Sequence, residues 1–98
     1  MKILFADKFP ESAVDELKQK GQDCVLQPDL KSDELDAVLA EYDVLVVRST
    51  KVTKKAIEAG HSLKMIIRAG AGTNTIDKDA AAARGIYVCN VRVEMLQQ

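Results

Sequence analysis

Tryptophan is absent from this chain, and aromatic residues of all kinds make up only 4% of it. A domain of 98 residues must therefore build its core from aliphatic side chains, which favours alanine-rich helices packed on Val, Ile and Leu strands. An excess of one charge is also missing, because 14 basic residues stand against 15 acidic ones. This balance argues against nucleic acid or an anionic membrane as a partner, so any anion site must be local.

Long apolar stretches are missing as well. The run from Val44 to Val47 is far too short to span a bilayer, and the N-terminus lacks the pattern of a secretory signal. These features predict a cytoplasmic protein with no membrane partner. The two cysteines, Cys24 and Cys89, are too far apart in sequence for a metal site or a disulfide framework. We expect no bound metal and two reduced, buried thiols.

What is present is a regular alternation of short apolar runs with amphipathic stretches. Strands are predicted at 2–6, 23–26, 43–47, 64–67 and 86–89, and helices at 11–20, 33–41, 54–59 and 77–83. Ser32 and Thr53 are the predicted caps of the second and third helices. This order predicts an α/β fold: a flavodoxin-like open parallel sheet, strand order 2-1-3-4-5, with helices on both faces. Residues 1–90 form the predicted domain.

Topology also predicts where a site should lie. Ligands of open parallel sheets gather outside the carboxyl ends of the strands, beside the point where strand order reverses. That point lies here between strands 1 and 3. Asp7 follows strand 1, while the residues that follow strands 3 and 4 include the candidate binding residues Arg48, Ser49, Lys51, Arg68, Ala69, Gly70, Ala71 and Gly72.

These residue types suit a small anion. Arginine grips a carboxylate or phosphate through two parallel hydrogen bonds, lysine supplies a point charge, and glycine-rich backbone offers N–H groups. The alternative is that Arg48 and Arg68 only pair with neighbouring carboxylates or helix ends.

The glycine-rich segment after strand 4 contains only part of a dinucleotide-binding fingerprint. Gly70-Ala-Gly72 follows a strand and precedes a helix, but the position of the third glycine is Thr75. The acidic residue that would bind the ribose is also replaced, because strand 5 ends in Cys89-Asn90. We therefore expect no cofactor to be bound by this chain.

Two segments resemble the D-isomer-specific 2-hydroxyacid dehydrogenase family, and most closely its 3-phosphoglycerate dehydrogenases. The first runs from Asp43 to Thr53 and the second from Leu63 to Gly72, and the continuation to Asn90 matches in order and spacing. The resemblance implies the substrate-binding domain of an oxidoreductase, closing on a separate NAD-binding domain, with 3-phosphoglycerate or a similar 2-hydroxy acid as substrate.

The resemblance also implies roles for the candidate residues. Arg48 and Lys51 would hold the phosphate or carboxylate of the substrate, and the backbone of residues 69–72 would meet the carboxylate beside the reacting carbon. Arg68 would support that loop.

The chain departs from the family pattern at three places. Asn74-Thr75 stands where the family usually has Asp-Asn, and Arg92 stands where a proline leads to the second domain. The family's catalytic arginine, glutamate and histidine would lie in sequence that this chain lacks. We therefore expect a truncated chain with no catalytic residues, inactive alone, with NAD needed by the full-length enzyme. Residues 91–98 would be a tail or a remnant of a closing helix, and His61 a surface residue.

Two other interpretations stay open. One is a non-enzymatic module that binds small acids or phosphate or serves for dimerisation, and a homodimer could form through an uncovered sheet face or an exchanged element. The other is a receiver-like signalling domain. Receivers need an acidic cluster after strand 1 and an aspartate after strand 3, whereas this chain offers Asp7 alone and Arg48, which argues against that interpretation.

Overall fold

The computed structural model describes residues 2–7, 11–27, 29–48, 50–69 and 75–91. Strands β1 (Lys2–Phe5), β2 (Asp23–Leu26), β3 (Val44–Val47), β4 (Met65–Ala69) and β5 (Tyr87–Val91) form one parallel sheet in the order β2-β1-β3-β4-β5. The helices are α1 (Glu11–Gln19), α2 (Leu35–Val38), α3 (Lys54–Ala59) and α4 (Lys78–Ala83). The predicted fold class and strand order are confirmed.

The central strand shows why the sequence chooses this architecture. All four residues of β3, Val-Leu-Val-Val, are buried, and β3 pairs with β1 on one side and β4 on the other. A continuous run of branched apolar residues suits a strand that is covered on both faces. Because successive side chains point to opposite faces, Leu45 and Val47 enter one core cluster while Val44 and Val46 enter another.

The two clusters define the two faces of the sheet. On one face, side chains from α2, α3 and α4 pack on the sheet, and Leu35, Leu39, Ile57 and Ala81 are fully buried there. On the other face, Val14 of α1 packs among residues of β1, β2 and β3. Helices therefore cover both faces, as predicted.

The α1 face is less covered toward β5. Met65 and Ile67 of β4 are only partly buried, and Tyr87 of β5 is 72% exposed. The predicted homodimer through an uncovered sheet face stays a prediction, because a single chain does not test it. The predicted tail of residues 91–98 lies outside the described residues except for Val91, which ends β5.

The predicted helix over 33–41 is wrong as a continuous α-helix. The segment consists of a 3₁₀ turn at Ser32–Glu34, the single α-helical turn α2, and a second 3₁₀ turn at Leu39–Glu41. Its apolar spacing still directs Leu35 and Leu39 into the core. Ser32 is not the cap of a helix either, because its hydroxyl donates to the carbonyl of Lys51 at 2.6 Å.

The cysteine prediction is half wrong. Both thiols are free and lie on opposite edge strands, β2 and β5, as the strand order requires. Cys24 is buried beneath α1, but Cys89 is exposed. The reason is positional: Cys89 pairs across the sheet with the partly buried Ile67, in the part of the α1 face toward β5 that is less covered.

Within the described ranges, no helix combines the length and the apolar character that crossing a membrane requires.

Candidate functional site

The site is built on the loop between β3 and α3, which is residues 48–53. Two of its backbone N–H groups bond to the carboxylate of Asp7, which lies just beyond the end of β1. Asp7 Oδ2 accepts hydrogen bonds from the backbone N–H of Arg48 at 2.7 Å and of Thr50 at 3.0 Å. The Thr50 hydroxyl donates to the carbonyl of Ala6 at 3.3 Å. The loop is therefore tied to β1 at the place where strand order reverses.

The second half of the loop is held by three other segments. Ser32 bonds to the Lys51 carbonyl as described above, and the Val52 N–H donates to the carbonyl of Thr75 at 2.8 Å. The N–H of Asp77 donates in turn to the Val52 carbonyl at 3.0 Å. This bridge keeps the loop that follows β3 beside the segment that leads into α4.

The helix after the loop begins at a fixed residue. Thr53 has extended backbone geometry and its hydroxyl oxygen accepts from the N–H of Ala56 at 3.3 Å, so it is the N-cap of α3, as predicted. The loop thus has a defined start at the end of β3 and a defined end at Thr53.

The two cationic candidates of the loop point outward. Arg48 and Lys51 are both exposed, while the backbone that carries them is hydrogen-bonded to Asp7 and Ser32. A fixed backbone lowers the entropy that is lost when the side chains close on a ligand. The structure therefore places Arg48 and Lys51 at the carboxyl ends of the strands, the rim of the sheet, as the sequence predicted. Exposed cations on a fixed backbone suit anion binding.

Arg68 lies in a different environment. It belongs to β4, paired in register with Val47, rather than to the loop that follows the strand. Its side chain is half-buried, and its Nε atom is enclosed by protein. Ala69 is the last residue of β4 and is 1% exposed. The remaining candidates, Ser49, Gly70, Ala71 and Gly72, lie outside the described residues.

Several of the described titratable groups lie away from Arg48 and Lys51, at the amino ends of the strands. His61 is exposed in the turn before β4, at the amino ends of the strands. There the amino group of Lys2 donates a hydrogen bond to the carboxylate of Glu41, which raises the pKa of Lys2, and burial raises the pKa of Tyr42. Among the described residues, no group of three His, Cys, Asp or Glu side chains could hold a metal ion.

A neighbouring cleft of about 440 Å³, lined in part by Ser32 and Thr53, opens between the 3₁₀ turn at Ser32–Glu34 and α3. It contains both Asp33 and Asp36 beside two lysines, and the Lys55 amino group pairs with Asp36 at 3.2 Å. Because its positive charges are matched by carboxylates, this cleft does not favour an anion.

The sequence alone did not reveal what Asp7 and Thr50 do. Asp7 stands out in the sequence only as the residue after strand 1, and Thr50 is not among the candidate binding residues. A short polar residue at a strand end is a signal for side chain-to-backbone bonding, but the partner lies more than 40 positions away and cannot be read from the sequence.

Comparisons with known proteins agree with this architecture. The family described as D-isomer specific 2-hydroxyacid dehydrogenase, catalytic domain, matches residues 3–93. The D-3-phosphoglycerate dehydrogenase of Archaeoglobus fulgidus is 40% identical over 91 residues, which is 92% of this chain and 17% of that protein. The hydroxypyruvate reductase of Thermotoga maritima is 46% identical over 85 residues, covering 86% of this chain and 28% of that protein.

Solved structures show the same likeness. The NAD+-bound 3-phosphoglycerate dehydrogenase of Entamoeba histolytica superimposes with a TM-score of 0.81 at 33% identity, covering 92% of this chain and 32% of that one. The chain thus spans less than a third of the length of each of these relatives.

Proposed function

The chain belongs to the D-isomer specific 2-hydroxyacid dehydrogenase family, and from that premise we propose that its rim binds the acidic group of a small 2-hydroxy acid. Arg48 and Lys51 would bind a phosphate or carboxylate, and residues 69–72, which begin at the last residue of β4, would add backbone N–H groups. Arg68 would support that segment from within the sheet. 3-Phosphoglycerate is the proposed substrate class, because several relatives are D-3-phosphoglycerate dehydrogenases.

The observation that carries the proposal is the contrast between backbone and side chains in the β3–α3 loop. The backbone is hydrogen-bonded at Arg48, Thr50, Lys51 and Val52, while the cationic side chains of Arg48 and Lys51 are exposed at the carboxyl edge of the sheet. Cations on a preorganised loop beside a topological switch point are a fitting site for a small acid.

A nicotinamide cofactor does not fit the residues described here. Thr75 occupies the position where the dinucleotide fingerprint needs a glycine, and Asn90 stands in β5 where an acidic residue would receive the ribose. We assign NAD-dependent oxidoreduction to the longer protein of which relatives such as the Entamoeba histolytica enzyme are examples. The role of this stretch is substrate binding.

The test is a calorimetric titration of the 98-residue chain with 3-phosphoglycerate, D-glycerate and NAD. Binding of 3-phosphoglycerate should weaken about 10- to 100-fold in Arg48→Ala, the effect of removing charge-assisted hydrogen bonds that contribute about 1.5–3 kcal/mol. Lys51→Ala should weaken it less, because lysine supplies a point charge without the bidentate geometry.

Lys64→Ala is the matched control. Lys64 is also an exposed cation, but it lies just before β4, at the amino ends of the strands. This variant should bind as the unmodified chain does. Equal losses in Lys64→Ala and Arg48→Ala would mean that only net charge matters. Tight NAD binding, or turnover by the chain alone, would contradict the division of roles.

A further inference from the structure

We infer that Asp7 is the positioning residue of the anion site, acting through the backbone of the β3–α3 loop rather than on the ligand; this inference rests on the proposed function. Asp7 belongs to the segment after β1, while Arg48 and Lys51 belong to the segment after β3. Nothing in the family resemblance assigned it a role.

The geometry shows how one carboxylate shapes the loop. The N–H groups of Arg48 and Thr50 lie two positions apart, and both converge on the same oxygen, Asp7 Oδ2, at 2.7 and 3.0 Å. Arg48 and Thr50 are thereby held at one acceptor. The Asp7 carboxylate thereby fixes the backbone that carries the Arg48 side chain and leads into Lys51.

The neighbouring contacts make this anchor rigid. Ala6, which precedes Asp7, is fully buried, and its N–H donates to the carbonyl of Val46 at 2.9 Å. The Thr50 hydroxyl returns to the carbonyl of the same Ala6. The residue before Asp7 is thus hydrogen-bonded to the neighbouring strand β3. The bonds from Asp7 to the loop are charge-assisted, and such bonds are among the stronger hydrogen bonds of proteins.

The charge of Asp7 makes its role separable from plain electrostatics. A carboxylate beside an anion site repels the ligand, so removal of the charge alone should tighten binding. Removal of the anchor should weaken binding. Asp7→Ala removes both the charge and the anchor, so its two effects on binding have opposite signs. Asp7→Asn removes only the charge, because the amide keeps an oxygen that can accept both N–H groups.

The experiment compares 3-phosphoglycerate binding in the unmodified chain, Asp7→Ala and Asp7→Asn. We expect the dissociation constant to rise about tenfold or more in Asp7→Ala, as for loss of about one positioned charge-assisted contact. Asp7→Asn should restore binding to the unmodified level or tighter. The backbone amide proton resonances of Arg48 and Thr50 should move toward those of unbonded amides in Asp7→Ala and not in Asp7→Asn.

Asp43→Ala is the matched control. Asp43 Oδ2 also accepts a hydrogen bond from a backbone N–H of another strand, that of Lys2 at 2.9 Å, but at the amino ends of the strands. Its substitution removes a comparable carboxylate anchor and should leave the dissociation constant unchanged. A general loss of stability would weaken binding in both alanine variants, and that result would overturn the positioning role.

The outcomes separate the two hypotheses. If the unmodified chain binds none of the acids, the proposed function fails and this inference fails with it. If Arg48→Ala loses binding while Asp7→Ala binds as well as or better than the unmodified chain, the site stands and the role of Asp7 is overturned. Unmoved amide resonances in Asp7→Ala would also overturn it.

Discussion

The guanidinium of Arg84 donates from Nη1 to the backbone carbonyl of Ile57 at 2.6 Å, and so joins the end of α4 to the end of α3. The same nitrogen lies 3.1 Å from the carbonyl of Glu58 and 3.4 Å from that of Gly60. The last carbonyls of a helix lack partners within the helix, and a cation there also meets the negative end of the helix dipole. One side chain therefore serves as the C-terminal cap of another helix.

Arg84→Met should test this cap, because methionine keeps an apolar stem and removes the donors. We expect a loss of about 1–3 kcal/mol in the free energy of unfolding, measured by urea denaturation. Lys78→Met, at the exposed start of α4, is the control and should change stability by less than about 0.5 kcal/mol. Equal effects of the two substitutions would show that the cap contributes nothing.

Ser32→Asp distinguishes the predicted role of Ser32 from the observed one. Aspartate caps a helix about as well as serine, so a capping role would leave stability nearly unchanged. In the structure the Ser32 hydroxyl donates to the Lys51 carbonyl, and an ionised carboxylate cannot donate. We expect a loss of about 1 kcal/mol in denaturant unfolding. Ser12→Asp, at an exposed position in the first turn of α1, should show no such loss.

The two cysteines should differ in reactivity toward a thiol reagent such as dithionitrobenzoate. Cys89 is exposed, whereas Cys24 is 5% exposed and burial raises the pKa of its thiol. A raised pKa lowers the fraction of reactive thiolate at neutral pH. One thiol per native chain should react, and Cys89→Ser should abolish that reaction. Release of two equivalents at one rate from the native chain would contradict the assignment.

Gly85 ends α4 in a backbone conformation that other residues avoid. Its φ is +70°, and the N–H groups of Gly85 and Ile86 donate to the carbonyls of Ala82 and Ala81 at 3.1 and 2.9 Å. This pattern is a Schellman motif. Gly85→Ala should cost about 1–2 kcal/mol, although nothing lies within 4 Å of an added Cβ. Gly85→Asn should cost less, and the ranking can be read from thermal unfolding.

Much of the fold was predictable because it depends on local pattern. The apolar run of β3 is a short-range signal, and so are Gly60 and Gly85, which stand just beyond the ends of α3 and α4. Five strands that alternate with four helices admit few topologies. The same pattern placed Arg48 and Lys51 at the carboxyl edge of the sheet, where the structure has them.

The wrong predictions concern features that depend on packing between segments distant in sequence. The apolar spacing of Leu35 and Leu39 predicted the buried side of their segment but not its division into 3₁₀ and α-helical turns. Cys89 is exposed because the sheet face that it shares with Ile67 is less covered near β5, and no local pattern reports that cover. Arg68 follows an apolar run, yet pairing with Val47 keeps it within β4.

The sequence by itself determined the order of elements, the parallel sheet and the identity of the cations at its rim, because periodicity and glycine stops act over a few residues. Only the tertiary structure decided which atoms hold that rim in shape. Asp7 reaches the N–H groups of Arg48 and Thr50 across 41 and 43 positions, and Ser32 reaches Lys51 across 19. Such hydrogen bonds form only after the strands have paired, since pairing brings their ends within bonding distance.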